Sequence, residues 1–213
     1  MTERRWNFDY GSRRAFLGSL GAGTVVLAGC LSSSASGGSE NTPVRGDPDA
    51  SVTLEVYEDF ACDFCQDYNA GVFPSIETEY IETEEIRYEH RDFPVVYNDG
   101  ARQSYQAASA ARAVYDGHGN EEFWQYKSLL MAEGDRVGSE SPELYGELAS
   151  ELDLDADEIE SAASDIAYED DITADRERGQ SANITGTPGF VINESQVSLE
   201  SWDDLFEEIE NAL

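Results

Sequence analysis

Ser51 to Cys65 reads SVTLEVYEDFACDFC, and this stretch decides the fold. Val52, Leu54 and Val56 alternate with polar neighbours, the two-residue period of a strand feeding a core. The run then turns aromatic at Tyr57 and Phe60. From Cys62 to about Glu82 the apolar residues Cys65, Tyr68, Val72, Ile76 and Tyr80 recur at helical spacing, with a kink expected at Pro74. Cys62-Asp63-Phe64-Cys65 therefore lies where a strand passes into a helix. The first turn of a helix presents unpaired N–H groups and about half a positive charge, which favours a thiolate there. Cys62 is expected to be the low-pKa, more exposed sulfur. Cys65, three residues on, lies deeper on the same face and within disulfide reach.

The chain has three cysteines. The third, Cys30, closes Leu27-Ala28-Gly29-Cys30, which resembles a lipobox, where the chain is cut before the Cys and the thiol carries lipid. Upstream, Ser12-Arg13-Arg14-Ala15-Phe16-Leu17-Gly18 resembles a twin-arginine export signal, and the apolar stretch from Ala15 to Gly29 is too short for a stable span of about 20 residues. Residues 1–29 are read as a lipoprotein signal peptide and 30–43 as a Ser/Gly-rich tether. The implied location is the extracytoplasmic face of the cell membrane, anchored through lipid on Cys30. Disulfides persist there. Cys62 and Cys65 are then a tight local disulfide, half of a metal site, or a redox centre. A metal needs two further ligands, and the only histidines, His90 and His118, show no metal-like spacing. A disulfide closing so small a loop would stabilise little. Redox chemistry is the expectation, with no metal and no cofactor.

The domain is expected to run from Val44 to Leu213. Ile86 to Arg91 alternates as a second strand, ended by Asp92-Phe93-Pro94. From about Asp99 to Ser164 the pattern is helical: Ala101–Tyr115, Glu121–Met131, a helix opened by Ser141-Pro142, and Asp155–Ala163. A further helix is expected from about Asp165 to Ala182. Phe190–Asn193 and Gln196–Leu199 read as short strands about a turn at Glu194-Ser195. Ser201 caps a closing helix with Trp202, Leu205, Phe206 and Ile209 on one face. The order predicts an α/β sheet with a helical insertion.

Four pieces together resemble the DsbA-like group of thioredoxin-fold thiol–disulfide oxidoreductases: Gly46-Asp47-Pro48-Asp49-Ala50, Glu58 through Cys65, Arg91-Asp92-Phe93-Pro94, and Thr185-Gly186-Thr187-Pro188-Gly189-Phe190-Val191-Ile192-Asn193. The resemblance implies a thioredoxin fold with an inserted helical subdomain and catalytic Cys62 and Cys65. It implies a cis Pro188, and a Thr187 backbone that pairs with the substrate peptide as a short added strand. The partners would be exported client proteins with cysteines and a membrane redox partner that resets the pair. The chain departs from better-known relatives twice. Their buried acid six residues before the first Cys is here Val56, which leaves His90, Glu58 or water to move the proton of the second thiol. Strong oxidases of the group often carry Pro-His between the cysteines, whereas Asp63-Phe64 stands here, and Asp63 should make the disulfide less oxidising. An oxidase is the leading reading. A reductase or isomerase, or a non-catalytic binding module or metal chaperone, are the alternatives.

Asp and Glu number 45 against 13 Lys plus Arg, a formal charge of −32. Nucleic acid is an unsuitable partner for such a chain. With 23 aromatic residues among the Phe, Tyr and Trp, a packed core is still expected. Lys127 is the only lysine, and the composition resembles that of proteins from extreme halophiles. Glu58, Asp59, Asp63 and Asp67 flank Cys62, so the acidity is expected to oppose its thiolate unless salt screens it. Asn183-Ile184-Thr185 and Asn193-Glu194-Ser195 fit the N-glycosylation pattern, which recurs often by chance. His118, in Asp116-Gly117-His118-Gly119, reads as part of an exposed turn.

Overall fold

A computed structural model describes residues 41–95, 101–137 and 142–213. The export signal, the lipobox with Cys30, nearly all of the tether and Ser141 lie outside these residues.

Strand β2 (Val52–Glu58) sits in the middle of a five-stranded sheet, with β3 (Ile86–Asp92) and β1 (Val44–Gly46) on one side and β4 (Gly189–Ile192) and β5 (Ser195–Val197) on the other. β2 and β3 run parallel, and the other pairings are antiparallel. A parallel pair needs a crossover, supplied by the helical run after Cys62. That run comprises α1 (Asp63–Asp67) and α2 (Phe73–Ile76), each followed by a wider, π-helical turn, at Tyr68–Val72 and Glu77–Ile81. Pro74 has no N–H to give the turn before it, and the chain accommodates this by widening that turn. The Phe73 N–H reaches back five residues to the Tyr68 carbonyl. The expected single kinked helix is thus a helix with two wide turns.

Between β3 and α8 (Glu169–Ser181) stands the helical insertion: α3 (Ala101–His118), α4 (Asn120–Ala132), α5 (Gly134–Val137), α6 (Glu143–Glu151) and α7 (Ala156–Asp165). Asp155 caps α7 by accepting the N–H groups of Asp157 and Glu158. Ile166, at φ 51°, ends it: Ile166 N–H meets Ala163 and Ala167 N–H meets Ala162, the paired bonds of a left-handed C-terminal cap. The helix expected from Asp165 therefore starts four residues later. The β4–β5 turn falls at Asn193-Glu194, both at positive φ, one residue before the expected Glu194-Ser195, because Ser195 pairs with Ile192. α9 (Trp202–Ala212) opens on Ser201, whose N–H donates to Asp204.

Val52, Leu54 and Val56 are fully buried in one core with Cys65, Tyr68, Ile76, Ile86 and Tyr88, to which α3, α4 and α6 add Ala111, Phe123, Leu130 and Leu148. The opposite face of β2, read as polar, is covered as well. Glu55 is 4% exposed, bonded to Arg178 of α8 at 2.8 and 2.9 Å. Packing also begins earlier than the expected boundary at Val44. Thr42 is buried, takes a bond from Arg91 and offers its carbonyl to the Tyr115 hydroxyl, while the Pro43 carbonyl accepts the His90 N–H. These backbone groups join the sheet before β1 does.

Candidate active site

β2 ends at Glu58 and the chain turns through Asp59-Phe60-Ala61 into α1. Asp59 fixes this corner from inside: one carboxylate oxygen accepts the Ala61 N–H at 2.9 Å, the other the Val95 N–H at 2.8 Å and the Ser104 hydroxyl at 3.0 Å. Cys62 follows as the N-cap of α1, in extended conformation, and its carbonyl accepts the N–H groups of Cys65 at 2.9 Å and Gln66 at 3.1 Å. Its sulfur is partly exposed and lies 3.5 Å from the Thr187 carbonyl, to which the thiol donates. Cys65 is fully buried, and its sulfur accepts the Asp59 N–H at 3.5 Å. Both are free thiols.

The two sulfurs differ sharply in acidity. The Cys65 thiol donating to the Cys62 sulfur is the largest influence on Cys62. Burial opposes it, but the Thr187 side chain and the amides of Cys65 and Phe64 add to it, and the Cys62 pKa comes down to about 6. The Thr187 hydroxyl is buried without another partner among the described residues, so it is free to donate to that thiolate. Burial, then the Cys62 sulfur, then the Glu58 charge push the Cys65 thiol well above its ordinary value. Of the acids expected to oppose the Cys62 thiolate, Asp59 is bonded as above, Glu58 turns inward, and only Asp63 and Asp67 are exposed.

The Thr187–Pro188 peptide is cis. Pro188 and Gly189 lead into β4, whose Phe190 anchors the loop in the core. Beside this loop runs a groove of about 460 Å³ lined by Phe64, Thr187, Pro188, Val197, Leu199 and Trp202, among others. Phe64 is 69% exposed and Trp202 38%, large apolar surfaces lining this groove. Together they form an exposed apolar patch on the wall of the groove. The structure thus brings Cys62, Cys65, Thr187, Pro188 and Phe64 together. Asp63 stands on the outer side of the first helical turn, exposed.

In the layer beneath, the sequence pointed to Glu58 and His90 as proton carriers but not to Lys127, Asn69 and Arg112 around them. Glu58 is 1% exposed, and Lys127 of α4 donates to it at 3.0 Å, Asn69 at 2.5 Å and His90 Nδ1 at 3.0 Å. Burial alone would raise the Glu58 carboxyl; Lys127 first, then His90 and Asn69, hold it down at about 2. His90 also meets Asp92 at 3.2 Å, and its pKa is raised because both carboxylates outweigh burial. Asp92 pairs with Arg112 of α3 at 2.6 Å. Arg112 also bonds Asp175, and Arg91 links Asp175, Glu89 and Glu55. Among the described residues no group of His, Cys, Asp and Glu is arranged to hold a metal ion.

Residues 38–211 match the family model described as Thioredoxin. The chain is 25% identical over 175 residues to the disulfide bond formation protein D of Bacillus subtilis, covering 80% of this chain and 77% of that one. A 150-residue stretch is 29% identical to the Na(+)/H(+) antiporter NhaA 3 of Salinispora tropica but spans only 21% of it. Among solved structures, oxidised BdbD from Bacillus subtilis superposes with a TM-score of 0.72 at 23% identity, covering 81% of this chain and 92% of that one. DsbA of Chlamydia trachomatis gives 0.71 at 19% identity, with 82% and 92% covered.

Proposed function

The chain belongs to the thioredoxin family and is a thiol–disulfide oxidoreductase; we propose that it works as an oxidase, exchanging a Cys62–Cys65 disulfide with cysteines of exported proteins. The supporting observation is the asymmetry of the pair: a partly exposed sulfur with a pKa near 6 beside a fully buried one whose thiol is held protonated.

A client thiolate attacks Cys62 of the disulfide, a client–Cys62 bond forms, and Cys65 leaves as a thiolate that takes up a proton. A second client thiolate attacks the client sulfur of that mixed disulfide, and Cys62 leaves as a thiolate. The client gains a disulfide and the protein holds the two electrons. The low Cys62 pKa makes it the better leaving group in this second step and favours the reduced protein, which is what an oxidant requires. The Thr187 backbone pairs with the extended client beside the reacting sulfur, and Phe64 and Trp202 cover apolar client residues in the groove. A membrane redox partner takes the electrons back.

The export signal and Cys30 support delivery to, and lipid anchoring on, the extracytoplasmic membrane face. Among the described residues no helix is long and apolar enough to cross a membrane. The acidic composition supports a working environment of molar salt. The test is a titration in multimolar KCl: the reduction potential of the pair against glutathione, and transfer of its disulfide to a reduced client. An oxidase gives a potential above the glutathione couple and oxidises the client. A strongly reducing potential would assign electron flow the other way, and metal uptake without exchange would assign a binding module.

A further inference from the structure

Cys65 takes up and gives back one proton in each cycle, yet its sulfur is fully buried. Val56, six residues before Cys62, is an apolar core residue and offers no acid. Side chains two apart on a strand share a face, so Glu58 stands on the Val56 face, one pleat nearer the cysteines. Asn69 ties it to the active-site helix, donating from Nδ2 to Glu58 at 2.5 Å and to the Cys65 carbonyl at 2.8 Å. A buried carboxylate needs a partner to remain an anion. Two basic groups face it: His90 from β3, whose other ring nitrogen meets Asp92, itself paired with Arg112; and Lys127 from α4. Lys127 gives its ammonium to Glu58 at 3.0 Å and to Asn69 at 2.6 Å, and its charge lies 5.5 and 5.7 Å from the Phe73 and Trp124 rings. The remaining titratable neighbours are the phenols of Tyr68 and Tyr88, bonded to each other at 3.3 Å, and Cys62.

We propose that Lys127, the only lysine of the chain, is a positioning residue: from the helical insertion it fixes the Glu58 carboxylate beside Cys65, and the charge balance of this pair sets how readily Cys65 gives up its proton. The thioredoxin-like half thus carries the cysteines while the insertion carries the charge that tunes the buried one. Both charges are out of water, so this control persists in molar salt, where the charge of exposed Asp63 and Asp67 is screened. The inference rests on Cys62 and Cys65 being the exchanging pair.

The test follows one chemical step. Reduced protein is mixed with excess oxidised glutathione in multimolar KCl. The Cys62 thiolate forms a mixed disulfide and releases one glutathione. The Cys65 thiolate then attacks the Cys62 sulfur, and the second glutathione leaves, taking up the proton Cys65 lost. This second phase does not depend on glutathione concentration, and its pH profile reports the acidity of Cys65. In E58Q the break of the profile moves down by a pH unit or more. The thiolate is tenfold more abundant per unit and about threefold less nucleophilic, so resolution at pH 7 quickens about threefold per unit. K127M leaves Glu58 ionised by His90 but undercompensated, so the break moves up and resolution slows. K127R restores the wild-type profile, and the double variant E58Q/K127M, which holds neither charge of the pair, breaks between the two single variants. An unmoved break in E58Q, equal profiles for K127M and K127R, or a double variant that stays at the E58Q break would each overturn the proposal. Failure of wild-type Cys62 to react with glutathione at all would instead defeat the assignment of the pair.

Discussion

Replacing Cys65 by Ala isolates the largest contribution to the acidity of Cys62. In the dithiol protein the Cys65 thiol donates to the Cys62 sulfur, ahead of the Thr187 side chain and the amides of Cys65 and Phe64, and the pKa stands at about 6. A hydrogen bond to a charged group is worth about 1.5–3 kcal/mol, and one pKa unit is 1.36 kcal/mol, so losing the bond is worth about 1–2 units. The account predicts that Cys62 in Cys65→Ala titrates at about 7–8, still below a free thiol near 8.5, because the amides of the first helical turn and the Thr187 hydroxyl remain. The assay is the pH dependence of iodoacetamide alkylation, cross-checked by ultraviolet thiolate absorbance, in molar KCl so that exposed acids are screened. A value still at 6 would show that the amides and the Thr187 hydroxyl make the thiolate without the Cys65 thiol. A value at that of a free thiol would show that the helix terminus contributes nothing. Either result refutes the ranking of causes on which the leaving-group argument stands.

Because the Cys62 pKa is depressed on folding, the unfolded thiol binds the proton the folded one has released. The reduced protein therefore gains stability relative to the oxidised one as pH rises from 6 to 9, and loses that gain as pH falls through 6. Three units at 1.36 kcal/mol, halved for the partial exposure of the sulfur, gives about 2 kcal/mol, readable as the difference between urea unfolding curves of the two redox forms. Arg112→Met removes one cation from the buried carboxylates of both Asp92 and Asp175, leaving them His90 and Arg91, and should cost up to about 3 kcal/mol in urea unfolding, a loss that added salt does not recover. A Cβ on Gly179 would sit 2.8 Å from the rings of Phe93 and Tyr57, so Gly179→Ala should lower stability by about 1–3 kcal/mol, measured as a drop in Tm.

The parts of the fold that rest on local pattern were legible. The alternation in β2 and β3 and the cysteines at a strand-to-helix junction each carry their signal within a few residues, and the helical block stands between β3 and α8 as its periodicity required. The Gly-Thr-Pro-Gly loop was legible only through the family resemblance it completes with the upstream cysteines. What escaped is nonlocal or lacks a residue signature. Ile166 ends α7 in a left-handed conformation that Gly or Asn would have advertised, so the α7–α8 boundary was misplaced. Lys127 entered the sequence reading only as a compositional oddity, because its partner Glu58 comes from a strand far back in the chain and nothing local announces a buried pair. The same holds for Arg91 and Arg112: in a chain so short of cations, each lies buried among carboxylates rather than on the acidic surface. Arg91, Arg112 and Lys127 thus stand where desolvation makes a charge matter most.

The central claim is that Cys62 attacks and is attacked while Cys65 resolves. Cys65→Ala, mixed in molar KCl with a client peptide activated as its glutathione mixed disulfide, should accumulate a stable client–Cys62 adduct, visible by mass spectrometry and released by dithiothreitol. Cys62→Ala should accumulate none. An adduct that forms on Cys65 in Cys62→Ala as fast as on Cys62 in Cys65→Ala would contradict the account, since the buried, protonated sulfur would then be the one that meets the client.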